Sequence, residues 1–252
     1  MQPEIIIFSI VAFLYGIVIG SFLNVLIYRI PLKENIATER SHCMKCSHQL
    51  QWYDLVPLFS YIFLKGKCRY CHAKISVQYP LIEGFNGFGY VLIILAKGLT
   101  AESIFDCLLL SILIVIAVID WRTFEIPVSL NIAILVIAIG KLLLCRENLM
   151  EHLIGFFAVS GFLLLIFIFT RGRGIGGGDI KLMAVAGLYL GWKNVILALA
   201  IGSIAGAVIH LALMRFYNKD RMLAFGPYLA VGIIIAALFG NGITGWYISL
   251  LV

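Results

Sequence analysis

Two aspartates, Asp120 and Asp179, are the residues of this chain whose type and position most clearly suggest chemistry. Asp120 closes one long apolar stretch, and Asp179 opens another directly after the run Gly176–Gly178. A carboxylate at the edge of a bilayer is costly to keep there, so a functional role is the default interpretation. If both ends lie on one side of a membrane, the two acids belong to different helices and can meet.

Two carboxylates within hydrogen-bonding reach share one proton, because both cannot easily be ionised together. The ionised acid can take a proton from water while the protonated acid polarises a peptide carbonyl, which is aspartic-protease chemistry. The glycine run favours this interpretation, because glycines allow unusual backbone angles and leave room for a peptide backbone beside Asp179. The sequence therefore predicts substrate binding by Gly176, Gly177, Gly178 and Lys181, although an interfacial anchor is the simpler role for Lys181.

Three alternative roles for the two acids stay open. Asp179 could be the N-cap of a helix that follows an ordinary glycine-rich turn. The pair could carry protons or cations in a membrane transporter, or the acids could be structural in a membrane methyltransferase. A transporter predicts acids near the bilayer midplane and inverted repeats, whereas these acids are expected at one face and the sequence shows no repeat.

Four cysteines form a second candidate site, in the pairs Cys43-Met44-Lys45-Cys46 and Cys68-Arg69-Tyr70-Cys71. Two CxxC pairs separated by about 20 residues predict one tetrahedral zinc site with Cys43, Cys46, Cys68 and Cys71 as ligands. Two disulfides are the alternative, which a reducing cytoplasm disfavours. A site closed by four thiolates is structural, and it would supply folding free energy to a small domain.

The elements that carry these residues are those of a membrane protein, because 62% of the 252 residues are hydrophobic and only 13% are charged. Eight apolar runs lie near the length of a membrane span, except that the sixth is too short to cross alone. They are 5–29, 79–97, 102–119, 126–144, 152–170, 180–191, 194–214 and 224–240. We expect an all-α polytopic membrane protein of about eight transmembrane helices, with a small cytoplasmic zinc-binding domain between the first and the second.

The predicted domains are 1–31, the first transmembrane helix, 32–78, the cytoplasmic four-cysteine domain, and 79–252, a transmembrane protease domain. The first run is interpreted as a retained span, because no Lys or Arg precedes it as in a signal peptide. Asn24 is polar inside that span, and an interhelical hydrogen bond is its simplest role.

Positive charges orient the predicted spans. Of the 19 Lys and Arg residues, only Lys97, Lys141, Arg146 and Lys193 fall on the side opposite the cysteine loop. By the positive-inside rule the cysteine loop is cytoplasmic, and both aspartates lie at the cytoplasmic boundary of the membrane. Nucleic acid is excluded as a partner, because no basic helix or aromatic-basic strip accompanies the charge.

With these motifs in place, the chain resembles the type IV prepilin peptidases, membrane aspartic proteases of the GxGD kind. The matching pieces follow the family's order along nearly the whole chain. They are Gly20-Ser21-Phe22-Leu23-Asn24-Val25 with Arg29 and Pro31, the paired CxxC loop, Tyr79-Pro80-Leu81-Ile82-Glu83, Asp120 with Ile126-Pro127, Gly176-Gly177-Gly178-Asp179-Ile180-Lys181-Leu182, and Phe225-Gly226-Pro227.

The resemblance implies that Asp120 and Asp179 are a catalytic pair. It implies a bacterial inner-membrane enzyme of type IV pilus assembly and protein secretion, which cuts prepilins and pseudopilins on the cytoplasmic side after a glycine. Many members also N-methylate the new N-terminus with S-adenosylmethionine, an activity linked to the cysteine domain, and the presence of all four cysteines favours a bifunctional enzyme. No motif in the loop locates the methyl donor, so its binding residues stay unassigned.

Overall fold

The computed structural model describes residues 3–36, 40–217 and 223–250. Within these ranges the regular structure is helical. The helices are α1 (Pro3–Leu32), α2 (Phe59–Phe63), α3 (Gln78–Lys97), α4 (Ala101–Thr123), α5 (Val128–Cys145), α6 (Leu149–Phe169), α7 (Gly177–Leu190), α8 (Trp192–Tyr217) and α9 (Gly226–Ser249). Lys219 and Arg221, which the charge analysis assigns to the cytoplasmic side, lie outside the described residues.

Seven helices of the described part are long and apolar enough to cross a membrane: α1, α3, α4, α5, α6, α8 and α9. Each of the eight predicted runs corresponds to one helix, and the short sixth run is α7. With 14 residues, α7 is about 21 Å long and cannot cross about 30 Å of hydrocarbon. The predicted all-α, multi-pass architecture is confirmed.

The chain forms two compact units that divide between Leu99 and Thr100. The first contains the pair α1 and α3 together with the cysteine segment, and the second contains α4 to α9. The division of 32–78 from 79–252 stays a prediction of the sequence.

Small residues bring α1 and α3 together in the first unit. A Cβ added to Gly16 would lie 2.7 Å from the Cα of Gly87, and one added to Gly20 would lie 2.7 Å from the Cα of Glu83. Such contact between backbones is how membrane helices pack closely without a hydrophobic driving force. The buried Asn24 amide then donates to the carbonyl of Tyr79 on α3 at 3.3 Å, which confirms the interhelical hydrogen bond.

In the second unit α7 lies among α5, α6, α8 and α9. Its residues from Leu182 to Leu190 are all buried. A Cβ on Gly155 of α6 would lie 2.5 Å from the carbonyl oxygen of Gly187 on α7, so these two backbones are in contact. Enclosure by other helices explains how a helix too short to span the membrane is tolerated in it.

Candidate active site and metal centre

Asp120 lies in the last turn of α4 with only 5% of its surface exposed. Its carboxylate oxygen Oδ2 accepts a hydrogen bond of 2.8 Å from the backbone N–H of Gly226. Gly226 is the first residue of α9, so the carboxylate lies at the positive end of that helix dipole. The last helix of the bundle therefore holds the first acid in place.

Asp179 is the third residue of α7 and is 8% exposed. Its Oδ2 accepts a bond of 3.3 Å from the backbone N–H of Gly176, which is the N-cap. The alternative that Asp179 itself is the N-cap is therefore wrong, because the helix begins earlier than that alternative requires. The carboxylates of Asp120 and Asp179 are close enough to interact electrostatically, so two helix N-termini bring together two buried acids.

The glycine run provides room for close approach and does not adopt unusual backbone angles. None of Gly176, Gly177 and Gly178 is among the glycines with positive φ, so these glycines do not use the unusual backbone angles that glycine allows. A Cβ on Gly178 would lie 3.0 Å from the Cβ of Ile126, whereas one on Gly177 would meet nothing within 4 Å. Gly178 thus allows close packing, and Gly177 borders open space.

Lys181 is exposed on the second turn of α7. Its role in substrate binding, like that of the three glycines, stays a prediction. The sequence alone allows Gly226 to be a helix start or a partner of the Asp179 loop. The structure confirms the helix start, since Gly226 is the first residue of α9, and it places the N–H of Gly226 on Asp120. The Phe225-Gly226-Pro227 motif was the signal that could have found this bond, but a motif does not say which side chain its backbone binds.

A second polar cluster lies at the end of α7 away from Asp179. The hydroxyl of Tyr189 donates to Oδ1 of Asp106 at 2.7 Å. Nζ of the buried Lys141 donates to the carbonyl of Tyr189 at 3.4 Å and lies 3.1 Å from Oε1 of Glu147. These bonds attach the carboxyl end of α7 to α4, to α5 and to the loop after α5.

His152 completes this cluster from α6. Its Nε2 lies 2.9 Å from Oε2 of Glu147, and its Nδ1 lies 2.8 Å from the carbonyl oxygen of Leu188. Glu147 lies in the loop between α5 and α6. Burial raises the pKa of Glu147, but the hydrogen bond from His152 and the charge of Lys141 outweigh burial. The pKa of Glu147 is therefore lowered below its ordinary value.

The four cysteines of the first unit converge on one point. Their Sγ atoms all lie within 4.8 Å of one another, and those of Cys43 and Cys71 are 3.8 Å apart. Four sulfurs bound tetrahedrally to zinc at about 2.3 Å are separated by about 3.8 Å, so the donor set fits one zinc ion. All four are free thiols, which favours the predicted metal site over two disulfides.

Each CxxC pair is held by the same backbone pattern. The N–H of Cys43 donates to the carbonyl of His48 at 2.9 Å, and the N–H of Cys68 donates to the carbonyl of Ala73 at 2.8 Å. In both cases the bond joins a first cysteine to the residue five positions later. The two pairs are therefore matching tight turns that present their sulfurs to a shared centre.

Protonation of the thiols is consistent with a cation at this centre. Backbone hydrogen bonds from Cys46 and Lys45 lower the pKa of the Cys43 thiol to about 6. For Cys46 a backbone bond from His48 acts in the same direction, but desolvation and the neighbouring thiols Cys71 and Cys43 raise its pKa to about 11. The Cys43 thiolate therefore forms readily, whereas ionisation of Cys46 is unfavourable. A divalent cation would offset the negative charge and allow both thiolates to form.

Two family models match the chain, one in each compact unit. The Bacterial Peptidase A24 N-terminal domain matches residues 14–97, and the Type IV leader peptidase family matches residues 107–211. Together they cover the four cysteines and both aspartates, and the second match ends within α8. No solved structure matches the chain.

Curated relatives extend the similarity to nearly the whole chain. A prepilin leader peptidase/N-methyltransferase of Aeromonas salmonicida is 33% identical over 276 aligned positions, which cover 96% of this chain and 94% of the relative. A protein of the same name from Bacillus subtilis is 35% identical, and the alignment covers 95% of this chain and 98% of the relative. Identity at this level over such coverage extends beyond any single motif.

Proposed function

The chain belongs to the type IV leader peptidase family, and from this premise we propose that Asp120 and Asp179 are the catalytic pair of a prepilin leader peptidase. The enzyme is a membrane aspartic endopeptidase that removes the leader of type IV prepilins and pseudopilins. One observation carries the assignment: two buried carboxylates from different helices interact at the N-termini of α7 and α9.

The proposed reaction needs only these two acids and water. The ionised acid takes a proton from water while the water oxygen attacks the scissile carbonyl, and the protonated acid donates its proton to the carbonyl oxygen. The tetrahedral gem-diol intermediate then collapses, the C–N bond breaks, and the amine leaves with a proton from the acid that served as base. One hydroxyl of the intermediate returns its proton to the other carboxylate as the new carbonyl forms, which restores the starting protonation of the pair. The hydrogen bond from Gly226 to Oδ2 of Asp120 leaves the other oxygen, Oδ1, for water.

Substrate binding is proposed beside the glycine run, Gly176–Gly178, with Lys181 at its edge. Gly177 is exposed and has open space where a side chain would be, so the substrate backbone can approach it closely. The glycine before the cut fits there. A prepilin leader is cytoplasmic and its following helix lies in the membrane, so a cytoplasmic active site at the boundary of the inner membrane meets the scissile bond.

N-methylation of the new N-terminus is proposed as a second activity, because the similar proteins carry both activities in their name. S-adenosylmethionine would be the methyl donor. Cys43, Cys46, Cys68 and Cys71 would hold a structural zinc ion, since four thiolates leave no open position on the metal. Prepilins, pseudopilins and the lipid bilayer are the proposed partners.

Cleavage of a prepilin in membranes tests the proposal, with wild type, Asp120→Asn and Asp179→Asn at matched expression. Each substitution keeps the shape of the side chain and removes the acid, so we expect cleavage to fall by at least about 1,000-fold, as in other enzymes that lose an essential group. Glu151→Gln is the matched control, because Glu151 is exposed at the start of α6. Equal cleavage by all variants would overturn the aspartic mechanism.

The same assay tests the binding site. A prepilin with a bulky residue in place of the glycine before the cut should be cleaved slowly, because that residue cannot approach the backbone of Gly177. Cleavage of this substrate at the normal rate would contradict the proposed position. Methylation of an already cleaved peptide should survive Asp120→Asn, which separates the two activities.

A further inference from the structure

The short helix α2 presents an apolar face to its surroundings. Phe59, Ile62 and Phe63 are 51%, 68% and 81% exposed. Their spacing of i, i+3 and i+4 places them on one side of the helix. Leu55 and Val56, just before the helix, are also exposed. Such a contiguous apolar surface marks a contact with another molecule or with lipid.

A hydrogen bond sets the depth of this helix relative to the membrane. The N–H of Leu58, the residue before α2, donates to Oε2 of Glu83 at 2.7 Å. Glu83 is buried and is the sixth residue of α3, about 7.5 Å along the axis from Gln78. Because α3 has 20 residues, it needs its full length of about 30 Å to cross the hydrocarbon. Because the Glu83 side chain points back toward the N-terminus of α3, the start of α2 lies at about the level at which α3 enters the membrane.

Two positively charged residues come directly after the apolar face in the chain. Lys65 and Lys67 are exposed and come two and four residues after the end of α2. Trp52, before the helix, is 78% exposed. Aromatic side chains at head-group level, with lysines beside an apolar face, are typical of segments that lie in the interface of an anionic bilayer.

We propose that residues 55–63 dock on the bilayer that α1 and α3 cross, with Phe59, Ile62 and Phe63 among the acyl chains. Lys65 and Lys67 contact anionic head groups. The segment between the first two spans thus lies in the membrane interface as well as forming a metal-binding domain. The proposal does not depend on the proposed proteolysis, because it rests on contacts within the first unit.

Photo-crosslinking in the full chain tests this docking. The photoreactive residue p-benzoylphenylalanine replaces Phe63, or Ile62 in a second variant, and the purified protein is placed in vesicles of phosphatidylcholine and phosphatidylglycerol. Met44→p-benzoylphenylalanine is the control, because Met44 is 76% exposed within a CxxC turn. After irradiation, mass spectrometry of the peptides counts adducts with lipid. We expect at least about five times more lipid adduct at positions 62 and 63 than at position 44, as for a face buried in the interface.

Two results would overturn the proposal. Lipid adducts no more frequent at positions 62 and 63 than at 44 would show that the face is outside the bilayer. Adducts at these positions that form only with added prepilin, and to prepilin, would make α2 a substrate-docking surface instead. Lys65→Glu with Lys67→Glu should lower the adduct yield at position 63 by at least about twofold in these anionic vesicles, and no change would refute the contribution of the lysines. Zinc content checks that each variant is folded.

Discussion

Asp120 depends on a backbone group 106 residues away, the N–H of Gly226. The type and place of the acid could be predicted from the sequence, because a carboxylate that ends an apolar stretch is conspicuous. Its partner could not be assigned, since a backbone N–H leaves no mark on residue type and the contact depends on tertiary packing. At this scale the sequence predicts the reacting groups but not what orients them.

Gly226→Ala tests the contact between these two residues. The added Cβ would lie 2.8 Å from Oδ2 of Asp120, closer than such atoms approach in real proteins, so the carboxylate must move. We expect prepilin cleavage to fall on the order of 10- to 100-fold, because a displacement of about 1 Å can cost that much.

Gly245→Ala in the same helix is the matched control, because a Cβ there meets nothing within 4 Å. It should cleave prepilin like wild type. Full activity of Gly226→Ala, measured as kcat/KM at equal zinc content, would show that Asp120 does not need this close contact.

Among the elements, α7 was predictable as a short apolar helix, because its 14 residues contain no polar stretch after Lys181. What holds its carboxyl end was not predictable. Asp106, Lys141, Glu147 and His152 come from other parts of the chain, and only packing places them around Tyr189 and Leu188. These bonds at its carboxyl end, with its buried residues Leu182 to Leu190, fix the position of the helix that carries Asp179.

Glu147→Gln tests how much the polar cluster at the carboxyl end of α7 contributes to stability, through the pH dependence of that stability. The pKa of Glu147 is lowered in the folded protein, so its ionised form contributes stability that is full above its ordinary pKa, about 4.3. That contribution is lost as the pH falls through the lower pKa of the folded state. At pH 7 the variant should melt roughly 3–12 °C below wild type, from about 1.5–3 kcal/mol for charged hydrogen bonds.

The measurement is Tm in detergent from pH 7 to about pH 3.5, where the gap between wild type and Glu147→Gln should narrow. Glu151→Gln, four residues later on an exposed position, should follow wild type throughout. A gap that is constant over this range would mean that Glu147 acts through packing rather than through its charge.

For the whole molecule, the apolar runs predicted eight of the described helices, because length and hydropathy decide which segments a bilayer accepts. Only seven of these eight are long enough to cross, and α2 was not predicted. Helix ends were less predictable: α9 continues to Ser249, well past the predicted end at 240, since an apolar tail gives no stop signal. The spacing of the cysteines predicted the metal site, but the two matching turns that converge on it emerged only in three dimensions.

Zinc removal tests whether the fold of the cysteine segment depends on the metal. The purified protein should contain about one zinc per chain, and Cys46→Ser should lose it, because three thiolates bind far less tightly than four. Limited proteolysis should then cut the segment between α1 and α3 at least about tenfold faster, since a small metal domain unfolds without its ion. Cys145→Ser, outside the cluster, is the control, and a zinc-free wild type of equal protease resistance would contradict a structural metal.

The bond from Gly226 to Asp120 also has a consequence for biogenesis. Ribosomes make both aspartates before they make α9, so a nascent chain holds the proposed catalytic pair while the residue that bonds to Asp120 is still unsynthesised. Asp120 therefore acquires this hydrogen bond only once the final helix is in place.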